Sequence, residues 1–307
     1  MVLLWTVCFV LVASAPFIGS TGMDSSLVFW RLRLPRVLTA FVAGAGLSLC
    51  GVCYQGLFRN VLATPYTLGV SGGASLAVAL VVRLHLQGAG ILTLAAFVGS
   101  LGAVALIGAL ARLSRRNGSN TLLLAGVAVS FFFSSLIMFI QHIGTPGELS
   151  RIIRWMMGSL DVYDYGSACI LAVVSAVGGT VIWSRRDALN LLTVGEEFAA
   201  SRGVSLRSTM LLLHAAVSLT VSAVVAVCGP IGFVGMVCPH IGRLMIGAEH
   251  RRLLPVSGLL GGTFLVVCDA IGRVIVAPSE LPVGIVTALL GGPFFLWMLL
   301  RQNGQRR

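Results

Sequence analysis

Apolar stretches of close to 20 residues recur along the whole chain and are separated by short polar breaks. A helix needs ~20 mostly apolar residues to cross the ~30 Å hydrocarbon core of a bilayer. The pattern therefore predicts ten membrane-spanning helices, at about residues 2–20, 34–57, 65–84, 91–111, 121–143, 165–184, 209–228, 233–248, 254–272 and 282–300. Because the number of spans is even, both termini are expected on the same side of the membrane.

Composition supports the same class of protein. Of the 307 residues, 57% are hydrophobic and only 10% are charged, whereas an ordinary soluble domain has roughly 25% charged residues. We therefore predict an all-α polytopic membrane protein with a single transmembrane domain over residues 1–307. The seven cysteines are odd in number and lie mostly in apolar stretches, which argues against a disulfide framework. We interpret Cys50 and Cys53 as packing residues, and we predict no metal site.

The arginines predict the orientation in the membrane. All 21 basic residues are arginine, and the net charge is +11. They occur singly or in short groups between apolar stretches, a distribution that fits phospholipid headgroups better than nucleic acid. Fourteen arginines lie on the side of the C-terminal tail and seven on the other side. Because cytoplasmic loops carry the excess of positive charge, both termini are predicted in the cytoplasm. The membrane is predicted to be the inner (cytoplasmic) membrane of the cell.

The absence of lysine from the sequence limits the possible functions. A phosphate-binding loop of the G-x-x-x-x-G-K-[ST] type needs its lysine, so the chain cannot carry that ATP site. No H-E-x-x-H, serine-nucleophile or haem-attachment motif is present, and we predict a transport protein that is not an enzyme. His214 and Asp269 are the main titratable residues deep in the spans, and Arg273 can pair with Asp269 on one helix face. An ATP-independent secondary transporter or channel stays open as the alternative, although such a transporter normally needs membrane-embedded acids.

The longest predicted cytoplasmic loop, about residues 185–208, contains the sequence DALNLLTVGEEFAASRGV. It predicts two short amphipathic helices, at about 188–194 and 196–202, which are interrupted at Gly195 and ended at Gly203. Two acidic residues suit the N-terminus of the second helix: Glu196 and Glu197. Such a helical pair could dock a soluble partner, or it could be a packed surface loop.

Two further segments stand out. The sequence GPIGFVG at 229–235 is a poor continuous helix and predicts a bend or re-entrant entry, which a membrane protein tolerates only beside other protein or a cavity. Residues 31–36 read RLRLPR and place three arginines on the predicted outer side, against the positive-inside rule. The sequence alone leaves these arginines equally open to lipid anchoring and to a functional role.

Six segments carry a family resemblance, in this order: RLPRVLTAFVAGAGLSLCGVCYQGLFRNVLATPYTLGVSGGA (33–74), LLLAGVAV (122–129), RWMMGSL (154–160), LNLLTVGEEFAASRGV (189–204), GPIGFVGMVCPHIGRLMIGAEHRRLLP (229–255) and ELPVGIVTALLGGPFFLWML (280–299). With them, the chain resembles the FecCD family, the permeases of binding-protein-dependent ABC importers for ferric siderophores, haem and cobalamin. The resemblance implies a type II ABC importer permease fold over about residues 5–302. It also implies a homodimer or a pseudo-dimer with a related chain, two ABC ATPase subunits that use the ATP, and a bilobed substrate-binding protein; no cofactor is expected on this chain.

The resemblance also implies roles for particular residues. Outward-facing Arg33, Arg36 and Arg273 would receive acidic residues of the binding protein, while Arg31 lies outside the matched motif. The ATPase would be contacted through the coupling segment, represented by Leu191, Leu192, Gly195, Glu196, Glu197 and Gly203. The translocation pathway would be lined by small or apolar residues, represented by Ser134, Ser135, Met138 and Gly291. Val61 departs from the family pattern, in which a proline commonly follows the asparagine.

A metal chelate is the expected cargo: a ferric siderophore first, then cobalamin, then haem. His85 and His142 lie at predicted span ends on the outer side and could contact haem, but lone histidines at such positions are more often interfacial residues.

Overall fold

The structure of the chain is a computed structural model. It describes residues 2–18, 28–88, 90–113, 119–162, 164–276 and 279–304. These residues form thirteen α-helices and no strand. Some arginines used to predict the orientation lie outside the described residues: Arg115, Arg116, Arg306 and Arg307.

The helices follow one another with short connections. Their bounds are α1 Val2–Ser14, α2 Leu34–Leu57, α3 Val70–Arg83, α4 Ile91–Leu113, α5 Ser119–Ile143, α6 Pro146–Met156, α7 Tyr165–Ser184, α8 Arg186–Val194, α9 Glu196–Ser201, α10 Leu206–Cys228, α11 Val234–Ile246, α12 His250–Val274 and α13 Val283–Gly304. A short π-helical segment, Phe29–Arg33, leads into α2, and a single 3-10 turn, Pro65–Leu68, precedes α3.

The predicted spans agree with these helices. Six described helices are long and apolar enough to cross a membrane: α2, α4, α5, α7, α10 and α12. The four shorter apolar helices, α1, α3, α11 and α13, coincide with the other predicted spans. The prediction of an all-α polytopic membrane protein is therefore confirmed.

One helix, α6, was not predicted. It is short and carries Arg151 and Arg154, so it lacks the long apolar pattern of a span. Thr145 begins it with a capping box, in which the Thr145 hydroxyl accepts from the Glu148 backbone N–H at 3.4 Å and the Glu148 carboxylate accepts from the Thr145 N–H at 2.8 Å. The sequence T-P-G-E is a capping signal for this helix, but hydropathy alone does not indicate a helix so short and polar.

The centre of the fold is the pair α2 and α12. Both are mostly buried, whereas α4, α5 and α7 expose most of their surface. The two helices touch backbone to backbone, because a Cβ on Gly44 would lie 2.2 Å from the Gly261 carbonyl oxygen and one on Gly261 would lie 2.4 Å from that of Gly44. Ser48 adds a hydrogen bond of 2.7 Å to the Ser257 carbonyl. Close backbone contact of this kind is how membrane helices gain packing energy without a hydrophobic driving force.

Candidate functional site

Three buried charges, on Arg36, Asp269 and Arg273, meet at the predicted outer face, which we define as the face where α2 and α13 begin and α12 ends. Arg36 on α2 donates through Nε to Asp269 Oδ1 at 2.9 Å, and through NH1 to Glu280 Oε2 at 2.6 Å. Arg273 lies one turn after Asp269 on α12, with its Nε 3.1 Å from Asp269 Oδ2. The predicted pairing of Asp269 with Arg273 is confirmed, and Asp269 bridges two arginines.

The end of α1 closes the same cluster. Arg33 NH1 donates to the Pro16 carbonyl at 3.2 Å, and Arg273 donates to the carbonyls of Ile18 at 2.8 Å and Ala15 at 3.1 Å. We call these groups the outer arginine cluster, which consists of Arg33, Arg36, Asp269, Arg273 and Glu280. It ties together α1, α2, α12 and the segment before α13.

These arginines are buried in the structure, and their predicted contact with a binding protein stays a prediction. Arg33, Arg36 and Arg273 are only 7%, 8% and 3% exposed. Carboxylates and carbonyls of the same chain contact all three, and a buried charge must be paired in this way to be tolerated. The partners of Arg36 and the carbonyls that Arg273 contacts lie 233 to 258 positions away in the sequence, whereas Arg33 contacts Pro16, 17 positions away, and Arg273 pairs with Asp269 in the adjacent turn.

The exposed cations of the outer face lie elsewhere. Arg31, Arg151 and Arg154 are solvent-exposed. Two of them stand on α6, whose capping Glu148 also faces α3: its Oε1 lies 3.2 Å from His85 Nε2 and 3.7 Å from Arg83 NH1. The backbone N–H of Thr145, helped by these cations, lowers the pKa of Glu148 below its usual range. This carboxylate therefore anchors α6 to the end of α3.

An open cavity of about 510 Å³ lies between α6 and the start of α13. Arg36, Arg154, Asp161 and Glu280 supply its charged groups, and apolar side chains such as Met157 supply the remaining wall. Arg36 is thus the member of the buried arginines that borders open space.

The GPIGFVG segment bends as predicted and leaves helical geometry between α10 and α11. Gly229 has a φ of +69°, and Phe233 has a φ of +67°, which is unusual for a residue with a side chain. Tyr66 accepts a hydrogen bond of 3.1 Å from the Ile231 backbone N–H, so the bend does not leave that donor unpaired. Of the two surroundings that the sequence left open, other protein or a cavity, a cavity is present: it has a volume of about 330 Å³ and lies between Leu47, the Tyr66 turn and this segment.

The coupling pair consists of α8 and α9, and its bounds agree with the prediction to within two residues. Glu196 and Glu197 lie in the first turn of α9, as predicted. Gly203 follows α9 with a φ of +83°, where a glycine is favoured. These observations confirm the helical pair at the level of local structure.

Three of the predicted coupling residues have surroundings that do not by themselves indicate contact with a partner: Leu191, Leu192 and Gly195. Leu192 is buried in the main core, and Leu191 packs against that core, so both anchor the pair to the membrane domain. Gly195 has extended backbone and no atom within 4 Å of an added Cβ, so this chain does not require glycine there. The exposed apolar residues are instead Val194, 67% exposed, and Phe198, 39% exposed. The sequence prediction named the acidic residues and glycines of this segment and did not include Val194 or Phe198.

The predicted pathway residues also include both exposed and buried positions. Ser134, Ser135 and Met138 lie on the open face of α5. Gly291 is buried under the Phe233 ring, since an added Cβ would lie 2.4 Å from the Phe233 Cβ. Gly291 therefore permits close packing of α13 on the bent segment, and its predicted place in the pathway stays a prediction. Of the histidines, His85 contacts Glu148, and His142 is exposed at the end of α5.

Comparisons with known proteins agree with this architecture. The FecCD transport family matches residues 4–301. The hemin transport system permease protein HmuU of Yersinia pestis is 41% identical over 91% of this chain and 85% of its own length. The vitamin B12 import system permease protein BtuC of Vibrio cholerae is 37% identical over 94% of this chain and 87% of its own length.

A solved structure shares the whole fold. It was assigned to the metal-chelate type of ABC transporters and shows an inward-facing conformation, and it superposes with a TM-score of 0.88 at 30% identity over 97% of this chain and 99% of its own. The chain therefore belongs to the FecCD transport family, and the resemblance found in the sequence is confirmed.

Proposed function

We propose that this chain is the transmembrane permease subunit of an ATP-driven ABC importer that carries a metal chelate into the cytoplasm. The cargo ranking is a ferric siderophore, then cobalamin, then haem. The observation that carries the proposal is the coupling pair: an exposed helical knob on a bundle of membrane-spanning helices. A permease needs such a knob if the energy comes from another chain, and the absence of lysine excludes the usual phosphate-binding loop from this one.

The tip of the knob has the chemistry of a contact surface. Val194 and Phe198 expose apolar groups beside the exposed Glu197, and Arg202 lies over the Phe198 ring at 5.4 Å. An apolar anchor with charged neighbours suits a cleft on an ATPase subunit, because buried aromatic anchors dominate protein interfaces. We propose that two ATPase subunits bind two copies of this chain here, on the cytoplasmic side with both termini.

The open face of α5 suits the pathway and the second permease copy. Phe131, Phe132, Met138 and Phe139 are all more than half exposed there. In a homodimer this face would lie near the symmetry axis, with Ser134 and Ser135 among the apolar groups. A largely apolar wall would let a bulky chelate pass without tight binding, and affinity would belong to the soluble binding protein.

The binding protein would dock on the outer face. The exposed arginines of α6 offer positive charge without disrupting any contact in the chain, while Arg36 could reach a partner only across the outer cavity. We propose acidic docking residues on both lobes of the binding protein, with α6 as a principal contact and Arg36 at its edge. Their effect would be on association rate and orientation, since exposed ion pairs contribute only ~0–1 kcal/mol each.

Reconstitution tests this function. The chain is co-expressed with a candidate ATPase and a candidate binding protein from the same organism, placed in proteoliposomes with ATP inside, and supplied with a ferric siderophore, cobalamin or haem outside. Uptake should require ATP and the binding protein, with molybdate, which has no organic chelator, as the control cargo. Uptake that ignores ATP and follows an ion gradient would instead support the secondary transporter.

A further inference from the structure

The coupling pair is joined to α12 by one side chain. Asn190 of α8 accepts, at its Oδ1 atom, a hydrogen bond of 3.0 Å from the His250 backbone N–H, and the same Oδ1 lies 2.7 Å from His250 Nδ1. His250 is the first residue of α12, and it is 2% exposed. The contact therefore joins the predicted ATPase-docking element directly to the beginning of a buried membrane-spanning helix.

The chemistry of this contact is specific. An α-helix leaves its first backbone N–H groups without partners inside the helix, and the residue before it usually caps one of them. Glu249 precedes α12 and makes no such side-chain bond. Asn190 supplies the cap from another helix. Because its Oδ1 accepts from the backbone, Nδ1 must also donate to it, which fixes the imidazole in the Nδ1–H tautomer.

The other edge of the imidazole faces α2. A Cβ added to Gly56, near the end of α2, would lie 3.0 Å from His250 Nε2 and 3.6 Å from Thr193 Cγ2. Nε2 is buried and has no hydrogen-bond partner within the described residues. The ring is thus held between α8 and the glycine of α2, and a shift of Asn190 must move it against α2 or away from it.

The pair α2 and α12 is connected along its whole length. Besides the His250–Gly56 contact at the inner end, the Gly44–Gly261 crossing and the Ser48–Ser257 hydrogen bond hold the middle. At the outer end, the Arg36–Asp269 ion pair holds the two helices together. A helix of 25 residues rises ~37 Å, so these contacts span the membrane-embedded part of the molecule.

We propose that Asn190 and His250 are positioning residues that transmit movement of the coupling pair to the α2–α12 unit, and through it to the outer arginine cluster. The inference rests on the proposed ATP-driven function. A closing ATPase pulls on α8, Asn190 carries the start of α12 with it, and the glycine contacts make α2 follow. The Arg36–Asp269 pair then moves the wall of the outer cavity.

Three variants test the contact in the complete importer in proteoliposomes. Asn190→Leu keeps the branching at Cγ and removes the acceptor, whereas Asn190→Asp keeps an acceptor oxygen at the same place. Gly56→Ala adds a methyl group against Nε2 and disturbs the imidazole without changing Asn190. Cargo transported per ATP hydrolysed is measured together with co-purification of the ATPase.

We expect Asn190→Leu to lower transport per ATP by about two- to thirtyfold, the range typical of altered coupling between sites, while ATPase binding and hydrolysis persist. Asn190→Asp should recover most of the ratio, and Gly56→Ala should lower it less than Asn190→Leu does. The matched control is Arg252→Gln, which removes an exposed ion pair with Glu249 in the same first turn of α12 and should leave the ratio unchanged.

An unchanged ratio in both Asn190→Leu and Gly56→Ala would overturn the proposal. So would equal loss in Asn190→Asp and Asn190→Leu, because that would assign Asn190 a role other than its acceptor. If Asn190→Leu does not assemble, the Gly56→Ala ratio decides. Failure of the proposed function looks different, since the wild-type chain itself would then show no ATP-dependent uptake.

Discussion

The outer arginine cluster and the coupling pair were both expected to meet soluble partners, yet they are built differently. The cluster turns its arginines inward, where carboxylates and carbonyls of the same chain hold them. The coupling pair turns its leucines inward and exposes Val194 and Phe198. A charged motif at one end therefore has a structural role, and an apolar residue at the other end is free to bind.

The difference follows from the cost of burial. A charge that is buried on folding must be paired within the fold. A buried ion pair stabilises the fold only weakly, but removing one partner destabilises it strongly, because the other charge is left unpaired. An exposed apolar group on a short helix needs no partner within the fold, and it can be buried later when a partner protein binds. Changes at the outer cluster should therefore affect folding first, and changes at exposed outer charges should affect binding first.

The largest expected effect is at Asp269. Asp269→Asn removes the charge that both Arg36 and Arg273 contact at about 3 Å. Removing one partner from a buried pair costs ~3–5 kcal/mol, and we expect the lower end because Arg36 keeps Glu280. The measurement is thermal unfolding of the purified chain in detergent.

The control for Asp269 is Glu249→Gln, whose exposed pair with Arg252 at 3.6 Å should contribute only ~0–1 kcal/mol. If the two variants lower the unfolding temperature equally, the cluster is not the structural element described above, and its arginines regain the role of open docking groups.

A smaller effect is expected from the double variant Arg151→Glu, Arg154→Glu. Because both side chains are exposed on α6, the fold should remain intact while the dissociation constant of the binding protein rises roughly tenfold at low salt. The increase should fade at high salt as the charges are screened. Binding measured at two salt concentrations, with an unfolding curve for the variant, checks both parts.

Docking that is unaffected at low salt would exclude α6 as the contact. The same reversal at Arg33, Arg36 and Arg273 is a poor test of docking, because it would place carboxylates beside Asp269 and unfold the outer end.

The smallest effect concerns the anchor of α6. The pKa of Glu148 is lowered in the folded chain, so its stabilising contribution is fully present above the usual carboxyl pKa of about 4.3 and is lost as the pH falls through the lower folded value. The wild type should therefore unfold at a higher temperature than Glu148→Gln at pH 7, and the gap should narrow below pH 4. A gap that is constant across this range would assign Glu148 a role that does not depend on its charge.

Much of the fold could be predicted from the sequence. Ten apolar stretches identified ten helices, and Gly195 and Gly203 delimited the coupling pair to within two residues. The bend at 229–235 and its cavity followed from the poor helix-forming pattern of GPIGFVG. These features are local, because apolar length, glycine and proline act on the chain within a few residues of where they stand.

The candidate sites were less predictable. Whether Arg36 is open or paired depends on Asp269 and Glu280, which are more than 230 positions away. The Asn190–His250 contact joins residues 60 positions apart, and neither segment contains a sequence signal that predicts the contact. The close contact of Gly291 with Phe233 likewise joins residues 58 positions apart.

The sequence by itself determined a membrane-spanning helical chain of the FecCD type, a predicted orientation from its arginines and the lack of a lysine for the usual phosphate-binding loop. Hydropathy, charge balance and motif order are properties of the chain that no folding step can change. Only the tertiary structure decided which arginines are buried, which residues of the coupling pair are exposed, and that α8 caps α12. Those outcomes depend on which surfaces the packed helices bring together, because burial and pairing are created by contact between distant segments.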